Sequence, residues 1–205
     1  MAKLVRHRRG IVVAFLGADG SGKSTVITAL QAELAPTFSH IQYIHLRPTV
    51  RAARAPGPPA TDPHGQAPRS YLGSIAKMIY LLFAYIAGWR VNVRPHLRRS
   101  GLVIFDRYFH DTLVDPVRYR YAGPMWLVRL VGKLIPKPDL WILLDAEPDI
   151  LQSRKQEVSP QETARQRNAY LALAQELSGF HTVDASRSPG EVVTDAKAII
   201  LNNWH

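Results

Sequence analysis

The chain has 205 residues and a formal net charge of +10, and 46% of its residues are hydrophobic. That hydrophobic fraction supports a real core, so we expect a single domain over residues 1–205 rather than a disordered chain. The chain has no cysteine, which excludes a disulfide framework and a zinc–thiolate site. The surplus of basic side chains favours partners that carry negative charge, such as nucleotides, nucleic acid or an anionic membrane.

The first predicted elements are a strand, a tight turn and a helix. Residues 11–16, IVVAFL, form a continuous apolar run rich in β-branched residues, which is typical of a strand buried on both faces of a parallel sheet. The chain turns between Gly17 and Ser24, and the KSTVITALQAEL that follows has apolar residues at helical spacing. A second strand is predicted for IQYIHL, residues 41–46.

The segment that follows the second strand is unusual for a core. Residues 48–69 are rich in proline, alanine and glycine, so we expect a flexible loop that acts as a lid near the site, with an idle insertion as the alternative. The apolar stretch at 71–89 is nearly long enough to span a bilayer, but Lys77 and several small residues interrupt it. We therefore predict a buried helix of an α/β domain at 70–98.

The second half of the chain alternates strands with helices. Strands are predicted at 102–105, 140–144 and 180–185, and helices at 123–134, 148–177 (interrupted near 158–160) and 189–201. Such alternation implies a parallel sheet covered on both faces. The predicted fold class is therefore α/β, in three layers, with a five-stranded parallel sheet between helices.

Residues 15–26, FLGADGSGKSTV, contain the phosphate-loop pattern G-x-x-x-x-G-K-[ST]. Glycines allow successive backbone N–H groups to face phosphate oxygens, and the following helix adds the positive end of its dipole. Lys23 is expected to reach the β- and γ-phosphates, and the Ser24 hydroxyl to bind Mg²⁺. The residues assigned to nucleotide binding in this loop are Gly17, Asp19, Gly20, Ser21, Gly22, Lys23, Ser24 and Thr25. The pattern predicts the P-loop NTPase fold.

A phosphate loop alone does not separate kinases from GTPases and motors. The N-K-x-D motif with which a GTPase reads its base is absent from the sequence, and a motor usually needs a longer chain. A small domain with a lid favours a kinase of small molecules.

Asp106 ends the predicted strand 102–105 and is followed by Arg107. A carboxylate at this end of a parallel strand suits a direct or indirect Mg²⁺ ligand, and a guanidinium beside it suits an acceptor phosphate or the transferring group. The alternatives are a structural Asp–Arg pair and a metal role for Asp145, which also ends a strand.

A cationic hairpin lies around the predicted helix break at Pro160. It carries Arg154, Lys155, Arg165 and Arg167, within a lid-like segment at 152–168. Cations on a hinged hairpin can close over a triphosphate and neutralise the charge that develops during transfer. The alternative is a solvated helix pair with salt bridges to Glu157 and Glu162.

Together these motifs resemble the thymidylate kinase family of nucleoside monophosphate kinases, over most of the chain. The similar segments are FLGADGSGKST, FDRY (Asp106 to Tyr108), PDLWILLDAEPD, RQRNAYL (165–171) and VDASRSPGEV (183–192). The resemblance implies ATP and Mg²⁺ as cosubstrates and transfer of the γ-phosphate to dTMP. It implies a catalytic set of Lys23, Asp19, Asp106, Arg107 and Arg154, in which Asp19 faces the acceptor sugar and Arg107 the acceptor phosphate. The backbone around Arg187 to Pro189 would border the adenine.

The sequence departs from the family mainly on the acceptor side. Tyr85 and Ala87 stand where the family's long helix offers an arginine and a glutamine, and Leu16 stands where a glutamate is usual. Loss of such groups weakens discrimination between acceptors. A non-thymidylate acceptor, such as a sugar or a lipid-linked glycan hydroxyl at a membrane surface, is therefore an alternative, as is a non-catalytic nucleotide-binding module.

An acceptor with a hydroxyl group would need a base to take its proton. Asp19, Asp106 and Asp111 are the candidates, and His110 is a weaker one because a lone loop histidine is more often solvated. We expect a cytoplasmic protein that binds no nucleic acid. Peripheral membrane contact and a homodimer remain open alternatives.

Overall fold

The computed structural model describes residues 9–48 and 64–204. Its strands are β1 Ile11–Leu16, β2 Ile41–His45, β3 Leu102–Asp106, β4 Leu140–Asp145 and β5 Phe180–Asp184. They form one five-stranded sheet in the order β2-β3-β1-β4-β5, with every pairing parallel. The α/β prediction is confirmed, and each strand boundary agrees with the predicted one to about a residue.

The helices are α1 Lys23–Leu34, α2 Tyr71–Gly88, α3 Arg94–Leu97, α4 Asp111–Val114, α5 Met125–Leu134, α6 Pro148–Arg154, α7 Pro160–Glu176 and α8 Pro189–Asn202. The break between α6 and α7 is confirmed, and the Ser159 side chain caps α7 by accepting from the Glu162 backbone N–H at 3.2 Å. The short helix α4 was not predicted.

The helix predicted at 70–98 is confirmed as a continuous helical segment, Tyr71–Leu97, within which a π-helical turn at Trp89–Val93 separates α2 from α3. Pro95 lies just beyond this turn. It has no backbone N–H, and its ring crowds the carbonyl four residues earlier, at Val91, so a regular α-helical ladder is disfavoured there.

The sheet divides the core into two layers. Along β1, Val13 and Phe15 pack into the layer formed with α1 and α8, whereas Val12 and Ala14 pack into the layer formed with α2 and α5. Both faces of β1 are covered, which explains why its sequence is continuously apolar. Each large side chain buried here contributes roughly 1.5–3 kcal/mol, and this holds the carboxyl edge of the sheet rigid beneath the phosphate loop.

The long helix is only partly buried, which corrects the prediction of a buried helix. Met78, Leu81 and Tyr85 of α2 are buried, whereas its other side exposes large apolar side chains, among them Leu72, Ile79, Tyr80 and Phe83. In the described part of the chain, Tyr71–Leu97 is long and apolar enough to cross a membrane by length and composition alone, a criterion that core helices also meet.

Candidate active site

A cavity of about 700 Å³ opens at the carboxyl edge of the sheet. Its walls come from the phosphate loop, the ends of β2 and β3, the loop between α4 and α5, and the end of α6. The predicted site residues line this cavity, with the exceptions of Gly17, Ser21 and Arg187. The fold therefore brings together most of the residues that the motifs singled out.

The phosphate loop needs glycine for its shape. Gly20 has φ +83°, and a Cβ there would lie 2.4 Å from the Leu151 carbonyl oxygen on α6. Gly22 also has φ +83° and immediately precedes α1. These left-handed angles turn the chain directly into the helix, so the N–H groups of the loop lie at the positive end of α1.

Lys23 is buried, and the loop itself holds its ammonium group. The Nζ atom donates to the Gly17 carbonyl at 2.8 Å, the Ala18 carbonyl at 2.9 Å and the Ser21 hydroxyl at 3.2 Å. Gly17 and Ser21 therefore hold the Lys23 ammonium group in place, although neither of them lines the cavity. Burial, followed by repulsion from Arg107, lowers the pKa of Lys23 to about 8, although Asp19 and Asp106 oppose the shift.

Ser24 and Asp106 supply oxygen donors for a metal. Ser24 lies in the first turn of α1 and Asp106 at the end of β3, and both line the cavity. The Tyr43 hydroxyl donates to Asp106 Oδ2 at 3.0 Å, which orients the carboxylate. One carboxylate and one hydroxyl suit Mg²⁺, which completes its octahedron with phosphate oxygens and water. The residues present therefore fit the ion that the resemblance implies.

Asp145, the alternative metal ligand, pairs with Arg167. Arg167 donates to both of its oxygens, at 2.9 and 3.0 Å, and Asp145 does not line the cavity. A carboxylate that is already neutralised by a bidentate arginine is a poor metal ligand. The geometry therefore favours Asp106.

Arg107 lies between two acidic groups at the cavity wall. It donates to Asp19 at 2.5 Å and to Asp111 at 3.1 Å, so among the described residues its aspartate partners are these two and not the adjacent Asp106. Its φ of +67° is unusual for a residue with a side chain. Strain of this kind persists where the surroundings enforce it, which is often at functional sites.

A second arginine, Arg118, shares Asp19 with Arg107. Burial opposes ionisation of Asp19, but Arg107, a hydrogen bond with Glu157, and Arg118 together hold its pKa at about 2. Asp19 is therefore a carboxylate throughout the physiological range and is tied to two cations.

The lid-like segment divides into two parts. Arg154 and Lys155 line the cavity, and Arg154 donates to the Ala185 carbonyl at 2.7 Å. Arg165 and Arg167 do not line it: Arg165 pairs with Glu162, as the alternative interpretation expected, whereas Arg167 pairs with Asp145. Of the described residues of this segment, those that line the cavity therefore lie at the end of α6 and in the turn after it.

Arg187, in the segment whose backbone is predicted to border the adenine, lies outside the cavity lining. It forms salt bridges with Asp195 and, more distantly, with Asp184 at 3.9 Å. Its neighbour Ala185 accepts the hydrogen bond from Arg154, so the loop after β5 still adjoins the cavity through that residue.

On the acceptor side, Tyr85 has a structural environment. It is buried, its hydroxyl donates to the Leu46 carbonyl, and its ring packs edge-on against Tyr108 with centroids 5.1 Å apart. It therefore offers no polar atom in place of the family's arginine. The prediction that His110 is solvated is wrong, because the side chain is buried next to Trp141. Burial lowers the pKa of His110 to about 4.

Asp111 is buried and accepts from Arg107, and burial raises its pKa even though Arg107 acts in the opposite direction. It does not line the cavity, so of the three carboxylates considered as bases only Asp19 and Asp106 do.

Sequence reasoning missed four polar residues of the cavity wall: His45, Gln66, Arg118 and Arg120. His45 ends β2, and its side of the sheet was predictable from the parallel topology. The two arginines belong to VRYRY, a basic run whose place beside the Asp106–Arg107 motif becomes visible only in the folded chain.

Comparison with known proteins places these features in a family. The family model described as "Thymidylate kinase" matches residues 15–196. A "Probable thymidylate kinase" of Pyrobaculum aerophilum is 32% identical, covering 92% of this chain and 95% of the relative. A "Probable thymidylate kinase 1" of Saccharolobus solfataricus is 28% identical (94% and 97% covered), and a "Thymidylate kinase" of Xanthomonas campestris pv. campestris is 27% identical (94% and 83%). The chain therefore belongs to the thymidylate kinase family.

Proposed function

We propose that this protein transfers the γ-phosphoryl group of ATP to dTMP in the presence of Mg²⁺, giving ADP and dTDP. The observation that carries the proposal is the meeting, in one cavity, of the phosphate-loop Lys23, the strand-end Asp106 and the paired Arg107. Family membership over residues 15–196 supports the same reaction. Binding alone would not need a metal carboxylate and an acceptor-side arginine beside the triphosphate site.

The residues divide between donor and acceptor. The loop N–H groups, Lys23 and Ser24 would hold the triphosphate, with Lys23 at the β- and γ-phosphate oxygens. Asp106 with Ser24 would hold Mg²⁺, which supplies charge neutralisation at the transferring group. Arg107 would hold the acceptor phosphate, and Asp19 would face the acceptor sugar.

The acceptor's phosphate oxygen is already a nucleophile, so the chain needs no strong base. The rate would come from positioning the two phosphates in line and from the charge of Lys23, Arg107 and Arg154 around the transferring group. Asp111 is buried, pairs with Arg107 and does not line the cavity, so we assign it as a partner of Arg107 and not as a proton acceptor.

We further propose that the chain is one domain and that 152–168 closes over the nucleotides. Support comes from Arg154 and Lys155 at the cavity wall and from Glu157, which accepts from Arg118 at 3.0 Å across it. Of the loop predicted at 48–69, residues 49–63 lie outside the described residues. Gln66 lines the cavity, so the described end of this loop reaches the proposed site.

ADP release tests the proposed reaction. The purified protein would be assayed with ATP, Mg²⁺ and each of dTMP, dUMP, UMP, CMP and AMP, with no acceptor and with sugar and lipid-linked acceptors. We expect the highest kcat/KM with dTMP. Lys23→Met should lower kcat by at least about 100-fold, since a preorganised charge at the transferring group is lost. Absence of dTMP-dependent turnover, or greater turnover with another acceptor, would refute the proposal.

The matched control for Lys23→Met is Arg129→Gln. Arg129 pairs with Glu176 on the exposed surface, and both side chains are more than half exposed. Its loss should leave kcat and KM unchanged.

Homodimer formation and a cytoplasmic location stay predictions. The exposed apolar side of α2, with Leu72, Ile79 and Phe83, is the surface on which we expect a second copy. Light scattering coupled to size-exclusion chromatography would give the mass, and Phe83→Glu should reduce it to that of a monomer. Unaltered dimer mass in that variant would place the interface elsewhere.

A further inference from the structure

We propose that Arg118 is the second arginine of an acceptor-phosphate clamp, which it forms with Arg107. The inference rests on the proposed function and deepens it, because it assigns a role on the acceptor side to a residue outside the motifs. Both guanidinium groups line the cavity, and their side chains are 12% and 18% exposed. They are sheltered from bulk water yet accessible from the site, which strengthens their interaction with an anion.

The two arginines are spaced to grip one small anion. Arg107 donates to Oδ1 of Asp19 through Nη2, and Arg118 donates to Oδ2 of the same carboxylate through its own Nη2. Two guanidinium groups that hold the two oxygens of one carboxylate can also hold two oxygens of one phosphate group, since guanidinium forks match both. Asp19 thus marks the position between them where an anion is stabilised.

Arg118 keeps donors for a further partner. Its Nη2 donates to Asp19 and Glu157, and its Nε lies 3.5 Å from Asp115. Among the described residues, these contacts use Nη2 and Nε of Arg118 and do not use Nη1. A guanidinium has five N–H donors, so those of Nη1 remain for phosphate oxygens while Nη2 keeps its hydrogen bond to Glu157.

Asp115 fixes Arg118 in place. This buried carboxylate accepts from the Arg118 backbone N–H at 3.0 Å and from Gln166 Nε2 at 3.0 Å, and His64 Nε2 lies 2.9 Å away. The base of the loop between α4 and α5 is therefore anchored on α7. A side chain held in advance loses less entropy on binding, as an acceptor site requires.

The clamp accounts for the missing charge on the long helix. Tyr85 offers no hydrogen-bond donor to an acceptor, because its hydroxyl donates to the Leu46 carbonyl. Arg107 already pairs with Asp19 and Asp111, so Arg107 alone would not neutralise a dianionic phosphate. Arg118 is also shared with acidic groups, Asp19, Asp115 and Glu157, but it adds a second guanidinium from a different element, so the phosphate would meet N–H donors from two sides.

The test compares a nucleotide with its nucleoside. With AMP-PNP and Mg²⁺ filling the donor site, calorimetry would measure binding of dTMP and of thymidine to wild type, Arg118→Gln and Arg118→Lys, with Arg129→Gln as control. We expect Arg118→Gln to weaken dTMP binding by about 10- to 100-fold, the loss of a charge-assisted hydrogen bond, and to change thymidine binding by less than about threefold. Arg118→Lys keeps the positive charge but lacks the planar guanidinium, so its dTMP affinity should lie between those of wild type and Arg118→Gln.

Three results would overturn the clamp. Unaltered dTMP affinity in Arg118→Gln would show that Arg118 does not contact the phosphate. Equal weakening of dTMP and thymidine would assign it a structural role in holding the loop. A loss of affinity for AMP-PNP as large as that for dTMP, measured by the same calorimetry, would assign it to the donor. Thermal unfolding of each variant identifies a folding defect, in which case Arg118→Lys decides between these outcomes.

A phosphate monoester separates this inference from the proposed reaction. If wild type does not turn over dTMP, the proposed function fails, but methyl phosphate still probes the clamp in the presence of AMP-PNP and Mg²⁺. A rise in melting temperature with methyl phosphate that disappears in Arg118→Gln supports the clamp. Absence of that rise in wild type, or its persistence in Arg118→Gln, contradicts it.

Discussion

The lowered pKa of Lys23 predicts that ATP binding takes up a proton. The ammonium group is buried, and burial with repulsion from Arg107 places its pKa at about 8. A bound triphosphate adds negative charge beside Nζ and raises that pKa again. Lys23 is then fully protonated in the complex but only partly protonated before binding, so the affinity depends on pH.

The size of the effect follows from the pKa of about 8. At a pH equal to that pKa, half of the Lys23 side chains lack the proton, so binding should take up about 0.5 proton per site. One pH unit lower the uptake should be about 0.1, and one unit higher about 0.9. Because the protonated form binds, affinity is constant below the pKa and falls by about tenfold per pH unit above it.

Calorimetry of ATP–Mg²⁺ binding in buffers with different ionisation enthalpies measures this uptake directly. Lys23→Met provides the matched control, because it removes the titrating group and leaves the rest of the loop. The uptake should vanish in that variant. An uptake that does not increase with pH in wild type, or that persists in Lys23→Met, would show that Lys23 does not titrate against the bound phosphates.

Three further predictions concern single residues. Asp106→Asn should lower kcat by about 100- to 1000-fold and shift half-saturation to higher Mg²⁺, whereas Asp145→Asn should leave kcat unchanged; equal effects in a steady-state assay would reject the metal assignment. Tyr85→Phe should cost about 0.5–1.5 kcal/mol in urea unfolding, with the KM for dTMP within about twofold of wild type; a tenfold rise would place Tyr85 in the acceptor site. Gly20→Ala should destabilise by about 1–3 kcal/mol because of its φ of +83° and the nearby Leu151 carbonyl, whereas Gly190→Ala, with open space around it, should be neutral or stabilising; similar melting temperatures for the two would argue against that strain.

Local sequence patterns predicted the parts of the site that depend on neighbouring residues. The phosphate loop is defined by spacing within eight residues, and Asp106 by the end of a buried apolar strand. Both signals survive folding because a parallel sheet brings the carboxyl ends of its strands to one edge. The strands themselves were predictable since their apolar runs are covered on both faces.

The remaining features depend on tertiary packing, which no local pattern contains. Asp19 and Arg118 are 99 positions apart and meet only because the loop between α4 and α5 folds back over the phosphate loop. His110 sits in a polar-looking loop, yet packing against Tyr108 and Trp141 buries it. The exposed apolar side of α2 likewise reflects which neighbours pack against the helix, and composition does not report them.

The central claim is that ATP–Mg²⁺ and dTMP meet in the cavity between the phosphate loop and the paired arginines. A crystal structure with AMP-PNP, Mg²⁺ and dTMP tests it most directly. The account predicts Lys23 on the β- and γ-phosphates and the metal beside Asp106 and Ser24. It places the dTMP phosphate between Arg107 and Arg118, with one phosphate oxygen about 3–3.5 Å from the γ-phosphorus. A dTMP phosphate bound away from both arginines, or a metal remote from Asp106, would contradict it.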